Sequence, residues 1–137
     1  MKLLIDTNII LDVLLKRDPF CELGVKVMNL VGKDDVQEYV SASAITDIYY
    51  IAYRMLKDKQ TVIDLIKRIL QVVSIVSVSE QEINMALALE WNDFEDSVQY
   101  SAAMLNEMDG LVTRNPNDYK QSRLPIWLPE QILDKLK

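Results

Sequence analysis

Residues 2 to 14 read Lys2-Leu3-Leu4-Ile5-Asp6-Thr7-Asn8-Ile9-Ile10-Leu11-Asp12-Val13-Leu14. Lys2 to Ile5 is a short aliphatic run without polar alternation, as expected of a parallel strand covered on both faces. Asp6-Thr7 follows at once as a helix start, since an Asp at that position accepts a hydrogen bond from a free backbone N–H. Asn8 to Leu15 then forms a short helix. A strand that runs straight into a helix is the opening of a βαβ unit.

The pattern repeats outward from this segment. Asp18-Pro19 opens a helix to about Val31, stopped by Gly32. Glu38 to Ala42 is a second strand, after which Ser43 caps a helix running through Tyr53 to about Lys57, with Ile45, Ile48, Ile51, Ala52 and Met55 at helical spacing. Thr61 to Leu70 is another helix, and Val72 to Val78, rich in β-branched residues, a third strand. Ser79-Glu80-Gln81-Glu82 is a capping-box pattern before the helix carrying Ile83, Ala86, Leu87 and Glu90. Asn92-Asp93 restarts a helix to about Glu107. Leu111 to Thr113 is a fourth strand, and Pro125 to Leu128 an edge strand before a C-terminal helical turn. The expected fold is α/β: one three-layer domain over residues 1 to 137, with a central parallel sheet of four to five strands flanked by helices.

Composition narrows the chemistry. The 137 residues include no histidine and one cysteine, Cys21. That excludes Ser-His-Asp and Cys-His catalysis, an internal disulfide and a zinc site of ordinary ligand type. The formal net charge of -6 argues against broad electrostatic binding to phosphate backbones, which rests on Lys and Arg. No apolar stretch approaches the roughly 20 residues of a membrane span, and no signal-peptide core precedes Asp6, so the expected location is the cytoplasm. If the chain is an enzyme, carboxylates carry the chemistry, with oxygen-ligated hard cations as the available helpers.

In an open parallel sheet, ligands bind beyond the carboxyl ends of the strands. The residues there are acidic: Asp6 follows the first strand, Asp47 lies in the first turns of the helix after the second, Asp96 lies in the first turn of a later helix, and Asp118 follows the fourth strand. Carboxylates gathered in one crevice repel, by about 4 kcal/mol for a pair about 4 Å apart at an effective dielectric near 20. A divalent cation relieves this. Mg²⁺ is held by one or two carboxylates, waters and substrate phosphate, an arrangement suited to phosphodiester hydrolysis.

At this point a resemblance can be named. Asp6-Thr7-Asn8, followed by Ile9 to Leu14, resembles the opening D-T-N motif of the PIN domain, the fold of many toxin ribonucleases of the VapC type. Ser41-Ala42-Ser43-Ala44-Ile45-Thr46-Asp47 resembles its second motif, and Phe94-Glu95-Asp96 with Ala102-Ala103 its third. Thr113-Arg114-Asn115-Pro116-Asn117-Asp118-Tyr119 resembles the fourth, T-R-N-x-x-D-F, and Leu124 to Glu130 the final strand and its exit. The resemblance spans nearly the whole chain, with motifs that are individually weak but fall in the right order. It implies a Mg²⁺- or Mn²⁺-dependent endoribonuclease cutting RNA with metal-activated water, homodimeric, and the toxin of a pair with an antitoxin protein. It further implies that Asp6, Asp47 and Asp96 ligate or orient the metal, that Asp118 or Asn115 completes the site, and that Asn8 and Thr113 support it. Two departures stand out: Asp47 where many members carry Glu, and Tyr119 where the motif ends in Phe.

Each candidate also has a structural explanation. Asp6 is a good N-cap, Asp93 and Asp96 are first-turn acids favoured by the helix dipole, and Asp118 suits a turn. Asp93 is therefore a supporting candidate only. Arg114, expected beside the crevice, is the cation most able to meet RNA phosphate, whereas Tyr49, Tyr50 and Tyr53 read as core or dimer contacts. Two other readings remain. One is a PIN-like module that has lost catalysis and serves as a binding or scaffold subunit. The other is a phosphate-ester hydrolase with Asp6 as nucleophile, which expects D-x-D where this chain has Asn8.

Overall fold

In the computed structural model, which describes residues 1–137, a sheet of five parallel strands is ordered β3-β2-β1-β4-β5. The strands are β1 (Lys2–Ile5), β2 (Gln37–Ser41), β3 (Ser74–Val76), β4 (Gly110–Val112) and β5 (Ile126–Trp127). The helices are α1 (Thr7–Leu14), α2 (Cys21–Met28), α3 (Ala42–Leu56), α4 (Lys59–Ile69), α5 (Glu80–Leu89), α6 (Phe94–Leu105) and α7 (Pro129–Lys135), with a 3-10 turn over Pro116–Tyr119. The α/β class and the parallel sheet match the sequence expectation. No helix is long and apolar enough to cross a membrane.

The central strand explains why the opening segment is so uniformly apolar. Leu3, Leu4 and Ile5 are all fully buried, and β1 pairs with β2 on one side and β4 on the other. Leu3 and Ile5 join a core with Ile9, Ile10, Val27, Val40, Ile48 and Ile132, supplied by α1, α2, β2, α3 and α7. Leu4 points the other way, into a core with Tyr100, Ala102, Leu111 and Tyr119 beneath α6. Alternation along the strand thus feeds two apolar layers, giving the three-layer arrangement. Gly110 is required in β4 because a Cβ there would run into the Trp127 ring on β5.

Local differences from the sequence reading have identifiable causes. Helix α3 is capped by Ser41 rather than Ser43: Ser41 has extended backbone angles and its hydroxyl accepts from Ala44 N at 3.2 Å. Two serines two residues apart are equivalent as letters, and the length of β2 decides between them. Asp18-Pro19 lies in a turn before α2 rather than at its start, and α2 spans Cys21–Met28, short of Val31. The third strand contracts to Ser74–Val76, because only that stretch finds partners on β2.

Two buried charges shape the stability of this framework. Asp12, 1% exposed on α1, receives Arg114 Nε at 2.8 Å and Nη2 at 3.3 Å, and Arg17 lies 3.6 Å away. The Arg114 guanidinium also covers the Phe20 ring, 3.9 Å from its centroid. This fork ties the exit of β4 to α1 and α2. Glu38, by contrast, is 2% exposed in β2 beside Leu3, and neither carboxylate oxygen has a hydrogen-bond partner. Burial alone pushes its carboxyl from the ordinary 4.5 to about 8.

Two outcomes follow. Arg114→Ala leaves Asp12 buried without its main partner and should destabilise the fold by roughly 3 to 5 kcal/mol, read by urea denaturation. For Glu38 the folded state holds its proton more tightly than the unfolded chain. Its contribution is therefore complete below about pH 4.5 and is lost as pH rises through about 8. Each pH unit between those limits costs about 1.4 kcal/mol. Glu38→Gln should match the parent in melting temperature near pH 5 and exceed it near pH 8.5; a gap that does not change with pH would refute this account.

Candidate metal-binding crevice

The sheet order reverses at β1, whose chain neighbour β2 lies on one side while β4 lies on the other. At such a switch point the connections leave in opposite directions and open a crevice beyond the strand ends. Asp6 stands there as the N-cap of α1, its own N–H donating to Val112 O of β4 at 2.9 Å. A crevice of about 620 Å³ opens over it, lined by Asp6, Asp47, Asp93, Glu95, Asp96 and Asp118. No lysine or arginine lines it.

Asp6 is the best-held of these acids. One oxygen, Oδ1, accepts from Thr7 N at 2.8 Å and from Gln99 Nε2 at 2.7 Å. The other, Oδ2, accepts from Thr113 Oγ1 at 2.7 Å. Three donors from α1, α6 and the end of β4 therefore fix its orientation in a buried setting. Thr113 lies beneath the crevice, bonded to Asp6, and Asn8 lines the crevice from the first turn of α1. The capping role of Asp6 and its place on the crevice floor coexist, because one carboxylate has several lone pairs to share.

Helix α6 brings three acids together. Asp93 is its N-cap and accepts from Asp96 N at 3.0 Å. Asp96 is half-buried, and its Oδ1 accepts from Tyr119 OH at 3.2 Å. Its carboxyl is raised to about 7, first by burial, then by the charges of Asp93 and Asp6 and, least, of Asp118, while the Tyr119 hydrogen bond works in the opposite direction. Glu95 is raised too, by partial burial and then by Asp47 and Asp93. Burial is the larger cause in both cases, and the neighbouring carboxylates add to it, with no lysine or arginine on the wall to offset them.

The other candidates separate cleanly. Asp118 reaches the crevice from the 3-10 turn, whereas Asn115 is exposed outside it and donates its backbone N–H to Thr113 Oγ1 at 3.0 Å. Asp47 lines the wall formed by α3, one turn beyond Ser43 and next to Thr46. Arg114 does not line it: its guanidinium is spent on Asp12, and its position at the end of β4 carries it toward α1 and Phe20. The acids share one crevice without closing into a cage, since no three acidic side chains stand close enough to hold one ion together.

Sequence reasoning missed Gln99 and Glu95. Gln99 is 4% exposed and bridges Asp6 and Tyr119. Its signal was helical spacing, because a residue three positions after Asp96 shares its face. Glu95 was visible inside its motif, but nothing in the sequence says that it turns toward Asp47.

A hard cation fits this donor set. All available ligands are oxygens, cationic side chains are absent from the wall, and the open geometry suits an ion that keeps waters and takes one or two carboxylates rather than an all-protein cage.

Comparison with known proteins agrees with this architecture. The chain superposes on VapBC-1 from nontypeable Haemophilus influenzae with a TM-score of 0.73 and 17% identity, over 95% of this chain and 99% of that one. For VapBC2 from Rickettsia felis, bound to a DNA fragment from its promoter, the values are 0.71 and 17%, over 93% and 98%. Mycobacterium tuberculosis VapC20, described as a sarcin-ricin loop cleaving toxin, gives 0.63 and 11%, over 80% and 86%. At these identities the likeness is one of fold. A search of curated proteins finds no match. The PIN domain family model, however, matches residues 2–117, from the first strand through the turn that carries Asn117, and on that match the chain belongs to the PIN domain family.

Proposed function

We propose that this chain is a divalent-metal-dependent endoribonuclease, the toxin partner of an antitoxin protein. The observation that carries the reading is the crevice at the β1/β4 switch point, where six carboxylates from α1, α3, α6 and the 3-10 turn share a wall without any lysine or arginine. Such a wall repels a phosphodiester unless positive charge is supplied, and a Mg²⁺ or Mn²⁺ ion supplies it. Asp6 and Asp96 would hold the ion, with Asp47 and Asp118 placed for its waters or for a second ion. When bound, an ion of this kind lowers the pKa of a ligand water and offsets charge on the phosphorus oxygens.

The chain's own residues then have separate tasks. Asp6 is locked by three donors, so it presents a carboxylate that does not have to reorganise on binding. Thr7 and Asn8 begin α1, and Ser43 and Thr46 lie in the first turns of α3. Polar groups at these positive helix ends suit an incoming phosphate oxygen. The solved relatives add support by analogy: several are toxin-antitoxin complexes, and one is a sarcin-ricin loop cleaving toxin.

Cytoplasmic location, an antitoxin and a homodimeric state belong to the same reading. Tyr50, Leu87 and Phe94 are exposed apolar side chains that a protein partner would cover. The catalytically inert scaffold remains the second reading, favoured by the absence of three converging acids.

Cleavage of a panel of structured RNAs, with and without Mg²⁺ or Mn²⁺, separates the two. The parent should cut only with the ion, and Asp6→Asn and Asp96→Asn should each slow cleavage by on the order of 100-fold or more. Circular dichroism would check that both variants stay folded. Asp6→Asn should not be firmer than the parent, because relief of repulsion is offset by disturbing three hydrogen bonds. Metal-independent cutting, or full activity in both variants, would sink the proposal.

A further inference from the structure

Asp6 and Asp96 are joined by a chain of two uncharged side chains. Gln99 Nε2 donates one hydrogen to Asp6 Oδ1 at 2.7 Å and one to the Tyr119 hydroxyl oxygen at 3.2 Å. Tyr119 in turn donates its only hydroxyl hydrogen to Asp96 Oδ1 at 3.2 Å. With both carboxyls ionised, the direction of every bond is forced. A carboxylate only accepts, so the Gln99 amide must turn its NH₂ inward, and a phenol that accepts from that NH₂ has its proton left for Asp96. The arrangement leaves the Gln99 carbonyl oxygen buried without a partner, although buried polar atoms are nearly always paired. An orphaned acceptor is what an amide bears when both of its hydrogens are committed to one side.

We propose that Tyr119 is a positioning residue that, through Gln99, sets Asp6 and Asp96 as one unit, engaging Asp96 Oδ1 so that Oδ2 is the oxygen left to face a cation. The inference rests on the metal-dependent reading above. The Tyr119 ring is already anchored without its hydroxyl: it is 1% exposed and packs edge-on to Trp91, with centroids 6.2 Å apart. The hydroxyl is also the feature by which Tyr119 departs from the Phe of the fourth PIN motif. The ring serves the core, and the hydroxyl serves the carboxylates.

Tyr119→Phe removes that one oxygen and keeps the ring. Binding of Mn²⁺ alone, followed by calorimetry and by loss of the free-ion electron paramagnetic resonance signal, is the readout, with melting in EDTA as the measure of fold. Affinity should fall about 10- to 100-fold in Tyr119→Phe, the usual effect of removing a group that orients a ligand. Gln99→Met should weaken binding as well, and the double variant should be no worse than the weaker-binding single, since both act along one chain of bonds. A purely structural hydroxyl would lower melting in EDTA and leave Mn²⁺ affinity at the parent value, which overturns the proposal while leaving the nuclease reading intact. Additive losses would refute the linked unit, and a parent that binds no Mn²⁺ would refute this inference together with the reading beneath it.

Discussion

The Asp6 carboxylate sits where β1 ends, α1 begins, β4 passes alongside and α6 crosses above, and it accepts a hydrogen bond from α1, from α6 and from the residue that leaves β4. Most of the molecule's organisation can be traced to the demands of placing one buried charge there. The strand before it must be apolar at Leu3, Leu4 and Ile5, where it is covered on both sides. The helix after it needs a side-chain acceptor at its start. The strand beside it must end in a residue with a hydroxyl, and Thr113, with no accessible surface, provides one. A charge in such a place is tolerated only when hydrogen-bond donors meet it; three do here, two on Oδ1 and one on Oδ2, which leaves room on Oδ2 for a cation.

The neighbouring buried charge, Asp12, is handled in the opposite manner. It is neutralised on the spot by Arg114 and Arg17, and it looks onto a different side of α1. Residues six apart on a helix are separated by about 240°, so the same helix can present one acid to a crevice and another to a cationic clamp. The contrast between the two sites is informative. Where the fold wants a silent charge, it supplies arginine; around Asp6 it supplies only neutral donors and further acids. Excess negative charge in the crevice is thus a property of what the fold leaves out as much as of what it gathers.

Glu38 belongs to neither class. It is buried beside Leu3 without a partner, and its neutral form is favoured by burial alone. It does not line the crevice, and its effect falls on the stability of the sheet rather than on the electrostatics of the site. The fold therefore carries a pH-sensitive weak point in β2 alongside a crevice whose own electrostatics depend on a different set of groups.

Much of the architecture was legible in the chain itself. Continuous aliphatic runs such as Leu3-Leu4-Ile5 mark strands covered on both faces, and the helical spacing of Ile48 with Ala52 marks a buried stripe, because each pattern is local and periodic. The motif order placed Asp6, Asp47, Asp96 and Asp118 after the strands or in the first turns of helices, and these positions do open on one crevice. What a local pattern does not carry is side-chain direction and pairing between segments far apart in the chain. Arg114 turns to Asp12 across 102 positions, Gln99 to Asp6 across 93, and Tyr119 to Asp96 across 23. Each of those choices depends on which helix face meets which strand end, a matter of packing in three dimensions. The sequence by itself determined the layered parallel sheet and the acidity of its strand ends; only the tertiary structure decided that Arg114 is a clamp, that Asp118 rather than Asn115 reaches the crevice, and that two neutral side chains join the central carboxylates.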